Sequence, residues 1–500
     1  MGDGLDVSGG AGGMAADLAD LRSQAGAMRG AGDDLLERVG RVSGGAVDGD
    51  VLTAALVCPD LVPGVEAAVL WAATGPNGLT VRGGALLVSG TLIDASVTTY
   101  EFVDDTAKKT FDALQAATGF AAGVVLPGAV VLGGVGLLAL SVQNPALAIA
   151  LAREVQSGEL TDDVMQTIYD NPWLMEALTR GAPGLVQGTG FTLSTLLGPG
   201  GLALLSGLTG GRWPSLDYET SIAGLIALGN LGGAFVDDGS FTIDGDPSST
   251  VTLGDGWSLD HAVQDVFTQQ GLMDDGQSTE ESAESGQLRV IKVPQADGSF
   301  AYVVQVPGTE DWSPTRTGNP VDLTSNVTLM TGGDSVWRQT VIDAIREQVP
   351  PGSPVMLTGH SQGGITAASI ASDPAVVREL NIQSVVTGGS PIGRFDIDPS
   401  VSVLSVEHEQ DPVPMLDGTS NPDAPNWTTV RRDLPDELAG GSADSPPNPG
   451  NAHATKNYVT TGAMIDGSDD PSIEAWREQN AKFFTGSGPV EASRYDVVRH

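Results

Sequence analysis

The hydrophobic positions of this chain change their period twice along its length. From Leu18 an apolar or small residue recurs at alternating spacings of three and four, through Leu21, Ala25, Met28, Gly32, Leu35, Val39 and Val42. Such a seam predicts a helix that packs one face against a partner. A second seam runs Leu86, Gly90, Ile93, Val97, Tyr100, Ala107, Phe111 and Leu114, with Asp104 intruding. Between the two lie an apolar stretch over Val51–Trp71 and a turn at Gly75-Pro76-Asn77-Gly78. The pattern predicts an antiparallel, helical hairpin-like domain over residues 1–115.

From Ala113 to Ala152 no charged residue occurs, and Pro127 with glycines at 123, 128, 133, 134 and 136 interrupts the Val/Leu/Ala run. The segment is long enough to cross a bilayer. Its proline and glycines, and flanks without basic clusters, favour buried helices packed through small residues. Membrane association through residues 113–152 stays as the alternative. Two further uncharged spans, between Arg180 and Arg212 and between Glu219 and Asp237, extend this Gly/Ala-rich apolar helical region over residues 116–240. Short capped helices are expected at Asn144-Pro145, at Thr161-Asp162-Asp163 and at Asn171-Pro172.

A polar, acidic segment, Met273–Gln287, reads as a linker or exposed loop. Beyond it the period drops to two. Leu288–Val293 and Tyr302–Val306 read as strands joined around Asp297-Gly298. A helix is expected over Ser335–Val349, then a strand at Val355–Thr358, a helix at Ile365–Ser372, and strands at Ile382–Thr387 and Val401–Val406. Strands alternating with helices predict an α/β domain over residues 241–490, its sheet mostly parallel, preceded by the all-α N-terminal region.

Charge narrows the partners. The chain carries 63 acidic and 24 basic residues, a formal net charge of −39. That surface repels phosphate backbones, so nucleic-acid binding is disfavoured, and it reads otherwise as a solubilising coat. The lone Cys58 forms neither an intramolecular disulfide nor a cysteine-based zinc site. The first residues lack the basic and apolar regions of a cleaved signal, so a cytoplasmic location or a leaderless export route is expected.

Candidate chemistry centres on Gly359-His360-Ser361-Gln362-Gly363-Gly364, which follows a buried strand and opens a helix. A serine hydroxyl attacks well only when a base takes its proton and the hydroxyl stands clear of its neighbours. A G-x-S-x-G turn lifts Ser361 above the sheet and aims the Gln362 N–H where an oxyanion would form. Partners in such turns follow in the order acid, then histidine. Of five histidines only His408, His453 and His500 follow the serine. Asp411 stands just past a strand, and His453 comes after it. The expected triad is Ser361 as nucleophile, His453 as base and then acid, and Asp411 orienting the imidazole. Asp396 and Asp398 are weaker candidates for the acid, and His408 reads as structural. Asp311 and Asp322 have no second ligand cluster beside them, so neither a metal nor any other cofactor is expected.

These blocks resemble the class 3 lipases among the α/β hydrolases, and actinobacterial α/β hydrolases carrying the same blocks. The resemblance covers Leu288 to Phe484. It implies that Thr309, in Val306-Pro307-Gly308-Thr309, supplies the second oxyanion-hole donor beside Gln362. It matches the acid to Asp411-Pro412-Val413-Pro414, and the histidine with its following tyrosine to His453 and Tyr458. Pro307 departs from the arginine usual in those lipases. The polar stretch Asp417–Asn451 departs too, and reads as an exposed loop or a lid. The implied activity is hydrolysis of carboxylic esters, with lipid or acylglycerol-type substrates. The N-terminal region resembles the helical-hairpin proteins of type VII secretion, and Tyr100-Glu101-Phe102-Val103-Asp104 fits the export signal of that system. That resemblance implies an exported effector lipase with a helical-hairpin secretion partner. A hydrolase fold used only for binding is the remaining alternative.

Overall fold

In the computed structural model the described residues are 4–45, most of 62–98, isolated positions between 169 and 230, and nearly all of 234–500. The apolar run 113–152, the Tyr100 motif, and the short helices expected at 144, 161 and 171 lie outside them. Among the described residues no helix is long and apolar enough to cross a membrane.

Residues Met14–Phe111 form one compact unit. Helix α1, Met14–Gly45, carries the first seam, and α2 spans Val62–Thr74. A further helix covers 79–91. It packs antiparallel on α1 through small residues. A methyl group on Gly32 would meet the Gly83 carbonyl at 2.8 Å, and one on Gly90 the Ala25 carbonyl at 2.6 Å. Backbones this close leave room only for glycine. Arg29 seals the crossing by donating to the Gly90 carbonyl at 3.2 Å and pairing with Asp94 at 3.4 Å.

The second unit, Met1–Gly13 with Asp112–His500, is built on a ten-stranded sheet. Its strands are β1 (Leu5–Gly9), β2 (Phe241–Gly245), β3 (Val251–Thr252), β4 (Gly286–Pro294), β5 (Phe300–Val306), β6 (Val355–His360), β7 (Ile382–Gly388), β8 (Ser402–His408), β9 (Trp427–Arg432) and β10 (Glu491–Arg499). The order is β1-β9-β8-β7-β6-β5-β4-β10-β2, and β3 also pairs with β10. Strands β5 to β9 run parallel, while β4, β10, β2, β3 and β1 join antiparallel. The N-terminal helical region and the mostly parallel α/β sheet are therefore both present.

Helices cover both faces: α3 (Ala262–Asp274), α4 (Leu323–Met330), α5 (Val336–Gln348), α6 (Gln362–Ala371), α7 (Pro374–Leu380), α8 (Pro449–Ala452), α9 (Thr455–Asp466) and α10 (Pro471–Asn480). Alternate strand residues feed two separate cores, as the two-residue period requires. Tyr302, Val304, Val355, Leu357, Val385 and Val403 pack with Trp337, Val341 and Ile345 of α5 and with α6 and α7. Val303, Met356, Val386, Leu404 and Val430 pack instead with Phe267 of α3, Tyr458 of α9 and Trp476 of α10.

The sheet is wider than its sequence pattern announces. Strand β1 comes from the first residues of the chain, within the stretch 1–115 read as helical, and pairs with β9 from Leu5–Arg432 to Gly9–Thr428. Strand β9 lies inside the stretch expected as loop or lid, and its Trp427–Val430 are buried. Met273–Gln287 is not wholly a linker either: α3 runs to Asp274 and β4 starts at Gly286. Trp337 is fully buried at the centre of the first core. Trp337→Ala should lower the unfolding free energy of this unit by about 3–5 kcal/mol, read from urea denaturation followed by circular dichroism.

Candidate active site

Ser361 stands between β6 and α6 with φ 54° and ψ −120°, a backbone conformation that non-glycine residues rarely adopt. The surroundings hold it there. The Ser361 N–H donates to the Gly388 carbonyl of β7 at 2.9 Å, and the N–H groups of Gly364 and Ile365 return to its own carbonyl. The turn also needs its glycine. A methyl group on Gly363 would lie 2.1 Å from the Val306 carbonyl, so the start of α6 presses directly on the exit of β5.

That pressing brings the expected oxyanion residues to the serine. Gly308 lies close enough that a methyl group on it would touch Ser361 Cβ at 3.6 Å. Thr309 follows, its hydroxyl accepting from Asn326 Nδ2 at 2.8 Å. The N–H groups of Glu310 and Asp311 both donate to the Val321 carbonyl, each at 3.1 Å, and fix the loop beyond. Gln362 turns its side chain away to donate to the Asp322 carbonyl at 3.1 Å. Among the described residues the Thr309 and Gln362 N–H groups have no protein partner. Asp322 itself caps α4 and pairs with buried Arg499 at 2.6 Å, so its carboxylate is fully engaged.

Asp411 follows β8 and is completely buried. Its Oδ2 accepts His453 Nδ1–H at 2.7 Å and the Tyr458 hydroxyl at 2.6 Å, and its Oδ1 accepts the Val413 N–H at 2.9 Å. Burial alone would raise its pKa. The His453 charge and these three donors outweigh burial and hold the carboxyl below the usual range. The His453 imidazole responds in the opposite sense: burial disfavours its charge, yet Asp411 and, further off, Asp274 push its pKa up. His453 keeps 21% of its side chain exposed, so the ring reaches solvent from a buried anchor.

The structure thus brings Asp411, His453 and Tyr458 into contact, and sets Ser361, Thr309 and Gln362 together at the same carboxyl edge of the parallel strands. A methyl group on Gly389, one residue past the carbonyl that holds the Ser361 N–H, would meet both Asp411 Oδ2 and His453 Cε1 within about 3 Å. The Ser361 hydroxyl and His453 Nε2 carry no hydrogen bond among the described residues. Asp396 and Asp398 are in neither group; Asp398 instead bonds Ser400. Among the described residues no group of three or more His, Cys, Asp or Glu stands arranged to hold a metal ion.

Two histidines support the site without opening onto it. His360 donates from Nε2 to the His453 carbonyl at 2.8 Å, and the two rings pack at a tilt of 31° with centroids 4.4 Å apart. His408 is buried under the Tyr458 ring, with centroids 4.0 Å apart. Its Nδ1–H donates to the Ala452 carbonyl at 3.0 Å, and Nε2 lies 2.8 Å from Thr461 Oγ1. Comparison with protein-family models, with curated proteins and with solved structures returned no match to the chain.

Burial pushes the His408 pKa down to about 4. Between the ordinary histidine value and 4 the unfolded chain binds a proton that the folded one does not. His408 therefore favours folding fully above about pH 6.5, and that contribution is lost as pH falls toward 4. The whole effect is worth about 3 kcal/mol. His408→Gln should remove it, so wild type should lose about 3 kcal/mol more than the variant between pH 7 and pH 4 in urea titrations.

Proposed function

We propose that the chain is a serine hydrolase of the α/β-hydrolase type, cleaving carboxylic esters, with lipid or acylglycerol esters as the substrate class. One observation carries the reading: a buried Asp411–His453 hydrogen bond of 2.7 Å at the strand edge where Ser361 is held in a strained turn. Strained non-glycine turns and histidines held on buried acids both cluster at functional sites, and here the two coincide.

In this reading Ser361 Oγ attacks the acyl carbon while its proton passes to His453 Nε2. The Nδ1–H stays on the ring, directed at Asp411, whose negative charge stabilises the imidazolium. The carbonyl oxygen, now negative, takes hydrogen bonds from the Thr309 and Gln362 N–H groups, which have no partner among the described residues. The tetrahedral centre collapses by expelling the alcohol, which carries off the proton from His453. A water then loses a proton to the same nitrogen, attacks the acyl-enzyme, and releases the acid and Ser361. Tyr458 donates to the carboxylate oxygen that holds His453, so it orients the acid throughout.

Wild type and Ser361→Ala are to be compared on nitrophenyl esters of short and long acyl chains. The variant should lose at least about a thousand-fold in kcat, and equal rates would remove Ser361 from the chemistry. Preference for long chains favours a lipase, preference for short ones an esterase. The base works only when unprotonated, and its pKa is raised. The acidic limb of kcat/KM should therefore have its midpoint above about 6.5, and Asp411→Asn should move that midpoint down while lowering the plateau.

A further inference from the structure

We infer that Asp274, at the end of α3, is a positioning residue of the same site and its second acid. This rests on the hydrolase reading for its consequence on turnover, but not for its geometry. Asp274 lies in an acidic run expected to be exposed, yet its side chain is only 16% exposed. Its carboxylate is shared among four segments. Oδ1 accepts Gln270 Nε2 at 3.1 Å and the Gly308 N–H at 3.3 Å. Oδ2 accepts the Thr455 hydroxyl at 2.8 Å and lies 3.4 Å from His360 Nδ1.

Each contact leads to a different part of the site. Gly308 precedes the oxyanion residue Thr309, and Gln270 also donates to the Val306 carbonyl at 3.0 Å. His360 precedes the nucleophile and holds the His453 carbonyl from its other nitrogen. Thr455 opens α9, two residues after the base. One carboxylate thereby fixes the oxyanion loop, the elbow and the base loop relative to one another. A displacement of about 1 Å among such groups is costly to turnover.

The contacts also select a charged group there. Burial opposes ionisation of Asp274, but the adjacent His360 ring and the hydrogen bonds from Thr455 and Gln270 outweigh it and keep the carboxyl below its ordinary range. The charged and titratable groups that sense it are His360, His453, Glu310 and Arg289. Among them His453 is the base, and the Asp274 charge favours its protonated form, in the same direction as Asp411. A residue that only glued α3 to α9 would leave the base's titration untouched.

The test uses the full chain as wild type, Asp274→Asn and Asp274→Glu, with histidines labelled by nitrogen-15 and titrated by NMR. Asp274→Asn keeps the shape and removes the charge; it should lower the His453 midpoint by roughly half a unit or more, and Asp274→Glu should restore it. On a nitrophenyl ester Asp274→Asn should lower kcat about ten-fold with KM changed less than about two-fold, again with partial rescue by the glutamate. Asp274→Ser is a second neutral variant with the same expectation, should the amide fail to fold. An unshifted His453 midpoint in a folded neutral variant overturns the assignment. A shifted midpoint in a protein whose wild type turns over no ester supports Asp274 and overturns the hydrolase reading instead.

Discussion

A carboxylate taken wholly out of water must be met by hydrogen-bond donors or give up its charge, and at Asp411 that constraint organises the site. The donors are His453 Nδ1–H, the Tyr458 hydroxyl and the Val413 N–H. They come from the residue that ends α8, from α9, and from the chain just past the acid itself. Keeping Asp411 ionised therefore demands that α9 lie against the end of β8. Tyr458 enforces this by filling the second core between Phe267 and His408. His408 must stay neutral to serve as packing beneath it, and its two ring contacts satisfy that condition.

The other half of the site is set by steric closeness rather than charge. Gly363 lets the start of α6 rest on the exit of β5, and the same contact brings Gly308, the residue before Thr309, beside the serine. Energy stored in the Ser361 backbone is retained because β6, β7 and α6 leave the turn no other path. Asp274 joins the two halves, bonding Gly308 on one side and Thr455 on the other. Geometry set by packing and geometry set by charge thus meet at one carboxylate.

The legible parts of the sequence were those whose physics is local. A buried strand, a glycine-flanked serine and a following helix lie within Val355–Ala371, and the structure has all three. Their order after the serine picks out Asp411 and His453, and the structure brings the two into contact. The edge strands were missed because their patterns are mixed. β10, Glu491–Arg499, mixes charged, polar and apolar residues without a clean period of two, and β1 is five residues with two glycine neighbours. Such strands are recruited by the sheet edge they meet, not by their own periodicity. Asp274 was hidden for a different reason. Within an acidic run its side chain looks like solvated charge, and only long-range contacts with Gly308, His360 and Thr455 distinguish it. Similarly, β9 was obscured by the polar residues on both sides of Trp427–Arg432.

The central claim is that Ser361 is a nucleophile activated by His453. It is tested most directly by treating the full chain with a fluorophosphonate, a reagent that phosphonylates activated serines, and locating the adduct by mass spectrometry. The account predicts one adduct, on Ser361, formed rapidly by wild type and suppressed in His453→Ala with the fold intact. An unmodified Ser361, or equal labelling in the His453 variant, would contradict it.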